Sequence, residues 1–313
     1  MHKVKDFKWK ENGSLDAFVT DLGSVGFQSI ELKRATDLII RMKKNGAKIF
    51  LTFTSNMVTS GLRGFFAQLI KLGIPDIIVT TVGGLEEDIM KATGENFSVG
   101  NFSPDDSELY EKGINRVGNI HIPTESYTKF EDIMGSMLKK MYKKKNDWTV
   151  SELLKECGLL LNDENSIVYQ ASKNNVPIFC PAITDGAMGF QLYLFQEKNK
   201  DFRVDVIKDF ANILFSVSQD DKKGLISLGG SISKHHAILA GLLNGGMDYA
   251  IYMTTASHTS GSMSGATTNE AKSWGKVKDD SDVVTVIGDV TITFPLAMCS
   301  ALDKLAKEGH VKK

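Results

Sequence analysis

The 313-residue chain is poor in several things, and each shortage excludes a class of protein. It has 3 cysteines, Cys157, Cys180 and Cys299, an odd number without metal-ligand spacing. Neither a disulfide framework nor a structural zinc site is expected, and thiols of this kind fit a reducing, cytoplasmic compartment. It has no charge excess of either sign: 37 Lys and Arg against 38 Asp and Glu leave a net charge of -1. Proteins that live on nucleic acid usually carry a basic surplus, so no nucleic-acid partner is expected. The one basic run, Lys139, Lys140, Lys143, Lys144 and Lys145, reads as a solvated helix end. The opening residues MHKVKDFKWKENG contain no apolar core and do not form a signal peptide. The stretch VVTVIGDVTITFPLAMCSAL (283–302) is broken by Asp289 and Pro295 and rich in β-branched residues. It reads as a buried strand and a helix, not as a membrane span. There is no repeat period and no low-complexity linker, so residues 1–313 are treated as a single domain.

What is present is an ordinary globular balance, 42% hydrophobic and 24% charged residues, on a chain long enough to bury a core without covalent staples. Short apolar runs alternate with helical patterns. Lys48–Thr54 (KIFLTFT) reads as a strand, followed by a helix over Asn56–Leu72 that stops at Gly73 and Pro75. Asp76–Thr81 is a second strand, running into Gly83-Gly84 and a helix over Leu85–Ala92. Pro177–Cys180, Gly224–Leu228, Tyr249–Thr254 and Val283–Ile287 complete the strands, and a helix follows Gly229-Gly230 through Leu243. Runs of this kind, bounded by glycine and followed by helices, indicate parallel strands buried on both faces. The expected fold class is α/β, a doubly wound, mostly parallel sheet of Rossmann-like character. The segment around Glu31–Met42 is expected to form an N-terminal helical appendage, and Phe97–Trp148 to form connecting loops and surface helices.

In open α/β sheets ligands bind beyond the carboxyl ends of the strands. Four loops lie there: Thr54-Ser55-Asn56, Thr81-Val82-Gly83-Gly84, Leu228-Gly229-Gly230-Ser231 and Thr254-Thr255-Ala256. Small residues before a helix let backbone N–H groups approach a phosphate, which makes a nucleotide the natural guest. The G-x-G-x-x-G fingerprint is missing, so a standard dinucleotide site is not supported. Glu86, Glu87 and Asp88 stand near a helix start, where they either favour the helix dipole or accept from a ligand. His235-His236 point about 100° apart on a helix and do not chelate one metal. One of them could move a proton near neutral pH. No metal is expected. The segment TSGSMSGATTNEAKSWGK (259–276) is a long Ser/Gly/Thr loop, then a short helix expected to be capped by Asn269. It ends with Lys276 directly after Trp274-Gly275. A lysine buried beside an aromatic wall becomes nucleophilic toward imines, whereas a surface lysine at a helix end is the commoner case.

Eight ordered motifs carry a resemblance over most of the chain: TSNMVTSGLR (54–63), TTVGGLEEDIMK (80–91), GINRVGNIHIP (113–123), FEDIM (130–134), VPIFCPAITDGAMG (176–189), LGGSISKHH (228–236), NGGMDYAIYMTTA (244–256) and NEAKSWGKV (269–277). In these the sequence resembles the deoxyhypusine synthase family. The resemblance implies a homotetrameric, NAD-using aminobutyl transferase. Such an enzyme oxidises spermidine, passes the butyl-imine to its own lysine and then to a lysine of translation initiation factor five A. The enzyme lysine falls on Lys276, with His235, Glu270 and Trp274 implied beside it in catalysis. The implied NAD contacts fall on Ser55, Asn56, Met57, Val58, Thr59, Thr81, Val82, Gly83, Glu87, Asp185, Gly230, Thr255, Ala256, Asp289 and Val290. The implied substrate contacts are Glu86, Glu87, Phe190, His235, Tyr252, Gly261, Ser262, Met263 and Glu270.

The departures from the family pattern concentrate on one ligand. Phe190 and Met263 stand where the family has aspartates that bind the polyamine, and Leu239 where it has an asparagine. Ala187 replaces a serine and Ser231 a glycine. Spermidine carries about three positive charges at neutral pH, and burying ammonium groups without carboxylates is costly. A less cationic or differently shaped amine donor, or a different acceptor, is therefore the alternative, followed by a catalytically silent NAD-binding scaffold.

Overall fold

The computed structural model describes residues 3–311. The chain forms two compact units. One comprises the chain up to Phe53, Leu72–Val79 and the chain from Ile213 onward; the other comprises Thr54–Lys71 and Thr80–Asn212.

The first unit is built on five strands: β1 (Lys48–Phe53), β2 (Ile77–Thr80), β3 (Lys223–Leu228), β4 (Met247–Thr254) and β5 (Val277–Ile287), in the order β5-β4-β3-β1-β2. β1 runs parallel to β3 in the register Lys48↔Lys223 to Phe53↔Leu228, and β4 runs parallel to both β3 and β5. Every residue of β3, and all of β1 after Lys48, is buried. Strands without an alternating wet face are covered on both sides, as parallel sheets require. Gln28–Lys44 and Val290–Lys307 pack on each other and on the sheet, while Ser231–Leu243 packs on β1, β3 and β4. The N-terminal helices are present, as Leu15–Leu22 and Gln28–Lys44; Ala35, Leu38, Ile39 and Met42 of the second are fully buried. The fold is thus α/β with a parallel, doubly wound sheet. Its strand order reverses between β1 and β3, and in open sheets of this kind such a switch point marks the ligand crevice.

The second unit is mainly helical, with Arg63–Lys71, Val82–Ala92, Thr124–Tyr142, Val150–Leu159, Ile167–Asn174 and Ala187–Lys198 as its principal helices. Asp88 is its polar hub. Fully buried, its carboxylate takes Arg63 Nε, Ser166 Oγ and the backbone N–H groups of Ile167 and Val168, at 3.1 and 2.9 Å for the last two. It thereby holds the N-terminus of Ile167–Asn174.

Three local expectations are corrected. Gly83 and Gly84 do not form a turn; the helix already begins at Val82. Their missing side chains serve close packing, since a Cβ would lie 3.1 Å from Ser55 Cβ at Gly83 and 3.3 Å from Val58 Cγ2 at Gly84. The region 97–148 holds an antiparallel sheet of Ser98–Val99, Ile120–Pro123 and Ile114–Val117 in addition to helices. Its hairpin turns on two residues, Gly118-Asn119, with Gly118 at φ 60°. A Gly-Asn pair between short β-rich runs is a hairpin signal. Finally, Thr267, not Asn269, caps the short helix Thr268–Ser273, accepting from Glu270 N–H.

Candidate active site

In the mainly helical unit, the turn after β1 and the start of Val82–Ala92 are tied together. Thr81 stands at the N-cap but makes no side-chain bond to its own helix; its hydroxyl accepts from Ser55 N–H instead, at 3.0 Å. The helix start therefore takes no side-chain cap from Thr81; Gly84 N–H bonds back to Thr81 O at 3.2 Å, and Gly83 lets the backbone approach Ser55 closely. Met57 and Val58 are core side chains whose N–H groups bond back to Thr54 and Ser55. Asn56 is exposed and accepts from Thr54. Val58–Leu62 form a π-turn in which Gly61 adopts φ 105°.

Glu87 is the carboxylate of greatest chemical interest. It is 5% exposed, and Thr59 Oγ1 donates to it at 2.6 Å. Burial pushes its pKa up to about 7, against the opposing pull of the Thr59 hydrogen bond and the Lys91 ammonium. Lys91 is itself engaged, donating to Val58 O at 3.0 Å. Glu86 is buried too, and burial again raises its pKa. It has a third role beyond the two weighed from sequence. Its Oε1 accepts from Met188 N–H at 3.1 Å, capping the helix Ala187–Lys198. A Cβ on Gly186 would stand 2.1 Å from that oxygen, which is why glycine precedes this helix. Tyr127 senses the pair, its phenol pushed up to about 12 by burial and by both carboxylates. Asp185 and Phe190 are exposed on either side of the cap, Phe190 at 53%.

In the sheet unit, Lys276 occupies the approach to β5 and is buried, 7% exposed, with Nζ 5.0 Å from the Trp274 ring centroid. It faces a cavity lined by Lys234, Tyr252, Met263, Glu270 and Trp274 among others. The cavity measures about 20 Å³, room for roughly one water. Lys234 fills much of the rest. Its Nζ donates to Met263 O and Ala266 O, each at 2.9 Å, and stands 3.9 Å over the Tyr252 ring. Burial lowers its pKa to about 8, with the Lys276 charge pushing the same way and Glu270 opposing. The Tyr252 hydroxyl, 1% exposed as a residue, has no hydrogen-bond partner among the described residues. Burial and the nearby Lys276 ammonium lower the pKa of His235, favouring a neutral imidazole. His236 is pushed down to about 4 by burial and by His235.

The remaining predicted residues of this unit line its strand ends. Gly230 opens Ser231–Leu243 without a side-chain cap, and a Cβ there would come within 2.4 Å of Ser264 Cα. Ser231 N–H donates to Ser264 Oγ at 3.1 Å, so the loop of Gly261, Ser262 and Met263 is pinned over that helix start. Thr255 is exposed, and Ala256 N–H donates to Thr254. Asp289 caps Val290–Lys307 through Thr291 N–H, at 2.8 Å, and Val290 is buried. Sequence reasoning missed Lys234 as a member of the lysine pocket; its place in LGGSISKHH, one residue before His235, was the available signal. Among the described residues no group of His, Cys, Asp or Glu is placed to hold a metal, and no helix is long and apolar enough to cross a membrane.

Strand ends that meet helix starts, buried carboxylates and a buried lysine beside an aromatic ring place the candidate residues on an α/β fold. Comparison with known proteins gives the family. Residues 17–301 match the family model "Deoxyhypusine synthase". A "Probable deoxyhypusine synthase" of Thermoplasma acidophilum is 39% identical over 302 residues, covering 96% of this chain and 97% of that protein. One of Schizosaccharomyces pombe is 36% identical, covering 93% and 88%. A crystal structure with a provisional deoxyhypusine synthase assignment, from Entamoeba histolytica, superposes with a TM-score of 0.69 at 28% identity, over 95% of this chain and 96% of that one. The chain belongs to the deoxyhypusine synthase family, and is a transferase.

Proposed function

We propose that the protein is an NAD-dependent aminobutyl transferase that moves the butylamine group of spermidine, through an imine on Lys276, to a lysine of translation initiation factor five A. The observation that carries the reading is the burial of Lys276 against Trp274, in a cavity shared with Tyr252 and Glu270. NAD fits the residues present: the start of Val82–Ala92, with no side-chain cap and small residues at Gly83 and Gly84, suits a phosphate, and Glu87 suits ribose hydroxyls. When bound, NAD would take a hydride from the donor amine and return it to the final imine.

The chain's own residues do the rest. Lys276 attacks the oxidised carbon of the donor, its nitrogen forms the new C–N bond, and diaminopropane leaves with the original nitrogen. His235, held neutral by burial and by the Lys276 charge, accepts a proton during the exchange. Glu270 and Trp274 hold the cationic end of the butylamine by charge and ring face. Tyr252 offers its unpartnered hydroxyl to the same group. We further propose a cytoplasmic homotetramer.

A second reading keeps the chemistry and changes the amine. Met263 is half-buried at the rim of the lysine pocket, and Leu239 lies on the same helix as His235. Only one carboxylate, Glu270, lines a pocket that already holds the Lys234 and Lys276 amines. A donor with fewer charges than spermidine suits that balance better.

Intact-protein mass spectrometry after incubation with NAD and spermidine, with borohydride trapping, tests both. An aminobutyl adduct on Lys276, lost in Lys276→Ala, supports spermidine as donor. NAD binding without a spermidine adduct, but with an adduct from a less charged diamine, supports the second reading. NAD binding with no adduct from any amine overturns the transferase mechanism.

A further inference from the structure

We propose that a groove on the helical unit, lined by none of the site residues named above, binds a small amphipathic acid: one anionic group on an apolar or aromatic body. The groove runs between Thr124–Tyr142, from Gly135 onward, and Ala187–Lys198, from Gln191 onward, to where both helices end. It has a volume of about 480 Å³, within the range of small-molecule sites. Leu138, Leu194 and Phe195 line it, and the Tyr142 ring packs edge-on to Phe195 at 5.7 Å. The Tyr142 hydroxyl is turned away to Asp201, at 2.6 Å, so the ring presents only its apolar surface.

Three lysines, Lys139, Lys143 and Lys198, stand on the rim. None makes an ion pair among the described residues, unlike Lys144 and Lys145 beside them, which pair with Glu156 and Glu152. Lysines at a helix C-terminus are ordinarily explained by the helix dipole, and two helices end here. Two dipole ends supply roughly one negative charge between them, which leaves the rim with an excess of roughly two positive charges. Glu197 is paired with Lys200, while Asp201, held by the neutral Tyr142 hydroxyl and Asn146 amide, keeps its charge beyond Tyr142 and lowers the net excess to roughly one.

Two further observations point to an occupant. Gln191 lines the groove, is 9% exposed, and its Nε2 has no hydrogen-bond partner. A buried amide donor left open costs stability unless something accepts from it. Gly135 sits in the middle of its helix, where glycine is a poorer helix former than alanine. A Cβ added there would meet nothing within 4 Å, so packing within the chain does not require the glycine. Its absent side chain keeps the groove open.

The test is a fluorescence titration of the full-length protein with anilinonaphthalene sulfonate, an anion on an aromatic body. Saturable binding should weaken about tenfold in Lys139→Gln/Lys143→Gln/Lys198→Gln and as salt is raised. It should be lost in Gly135→Leu, which fills the groove while improving helix propensity, so the variant remains folded by circular dichroism. Binding that both variants leave unchanged overturns the site. Displacement of the dye by a glutamate-rich peptide but not by a small aromatic carboxylate overturns the assignment to a small acid.

Discussion

Replacing Glu87 by glutamine should make the protein more stable at high pH and leave it nearly unchanged at low pH. Burial raises the Glu87 pKa from 4.5 to about 7 in the folded chain. The folded state therefore holds this proton more tightly than the unfolded state. Stability is fully present below about pH 4.5 and falls as the pH rises toward 7, because the unfolded chain ionises first. A displacement of about 2.5 pKa units corresponds to about 3 kcal/mol, complete by about pH 8. Glutamine keeps an oxygen to accept from Thr59 Oγ1 and never ionises. The difference in melting temperature between Glu87→Gln and the parent should thus be near zero at pH 4.5. It should open to about 6 °C in favour of the variant at pH 8, at roughly 2 °C per kcal/mol for a chain of this size. Scanning calorimetry of ligand-free protein across that range is the assay. A difference that stays flat between pH 5 and pH 8, or a parent that is the more stable at pH 8, would refute the reasoning. The same variant should bind NAD more weakly, since an ionised acceptor is lost, so the carboxylate is retained against its own effect on stability.

Asp88→Asn should cost about 1–3 kcal/mol, because it places an amide among backbone donors and leaves Arg63 with Asp163 but without its buried partner; thermal melts at neutral pH would read it. Lys234→Met leaves Met263 O and Ala266 O without their donor at about 1–3 kcal/mol, and hydrogen exchange should accelerate in residues 257–266 more than in β3. Gly230→Ala should displace that same loop, since the new Cβ would stand 2.4 Å from Ser264 Cα; limited proteolysis should cut within residues 257–264 faster than in the parent, and an unchanged cleavage rate would contradict the close approach.

The legible part of the fold was the part with one dominant signal. The strands β1 to β4 announced themselves as β-rich runs between glycines because each is buried on both faces. β5 was read only from Val283 onward, since its first half, Lys278–Asp282, is charged and part-exposed, with a burial pattern no core requires. The glycines misled where they serve packing and not turning, at Gly83 and Gly84. The small antiparallel sheet was missed because its strands are 2 to 4 residues long and half-wet, although Gly118-Asn119 marked the hairpin. In the site, the residue pattern offered Lys276 after Trp274 only as a candidate against the commoner surface lysine, and the family resemblance was needed to give it a role and to add Asp185. Neither could show that Glu86 caps a helix 102 residues away, because that depends on tertiary approach alone.

The parallel register of β1 with β3 has a consequence for how the chain is born. Lys48 pairs with Lys223, so although β2 soon follows to cover one edge of β1, its other edge must wait for 175 further residues before its partner exists. At roughly 5–20 residues per second on the ribosome, the wait is roughly 9–35 s. During it, one edge of an almost wholly apolar strand keeps its backbone groups unpaired and open to aggregation. The intervening residues of the second unit are complete once Asn212 emerges, and so have time to collapse first. The order of synthesis thus favours an early helical body and a late sheet, with Lys276 among the last functional groups to find its place.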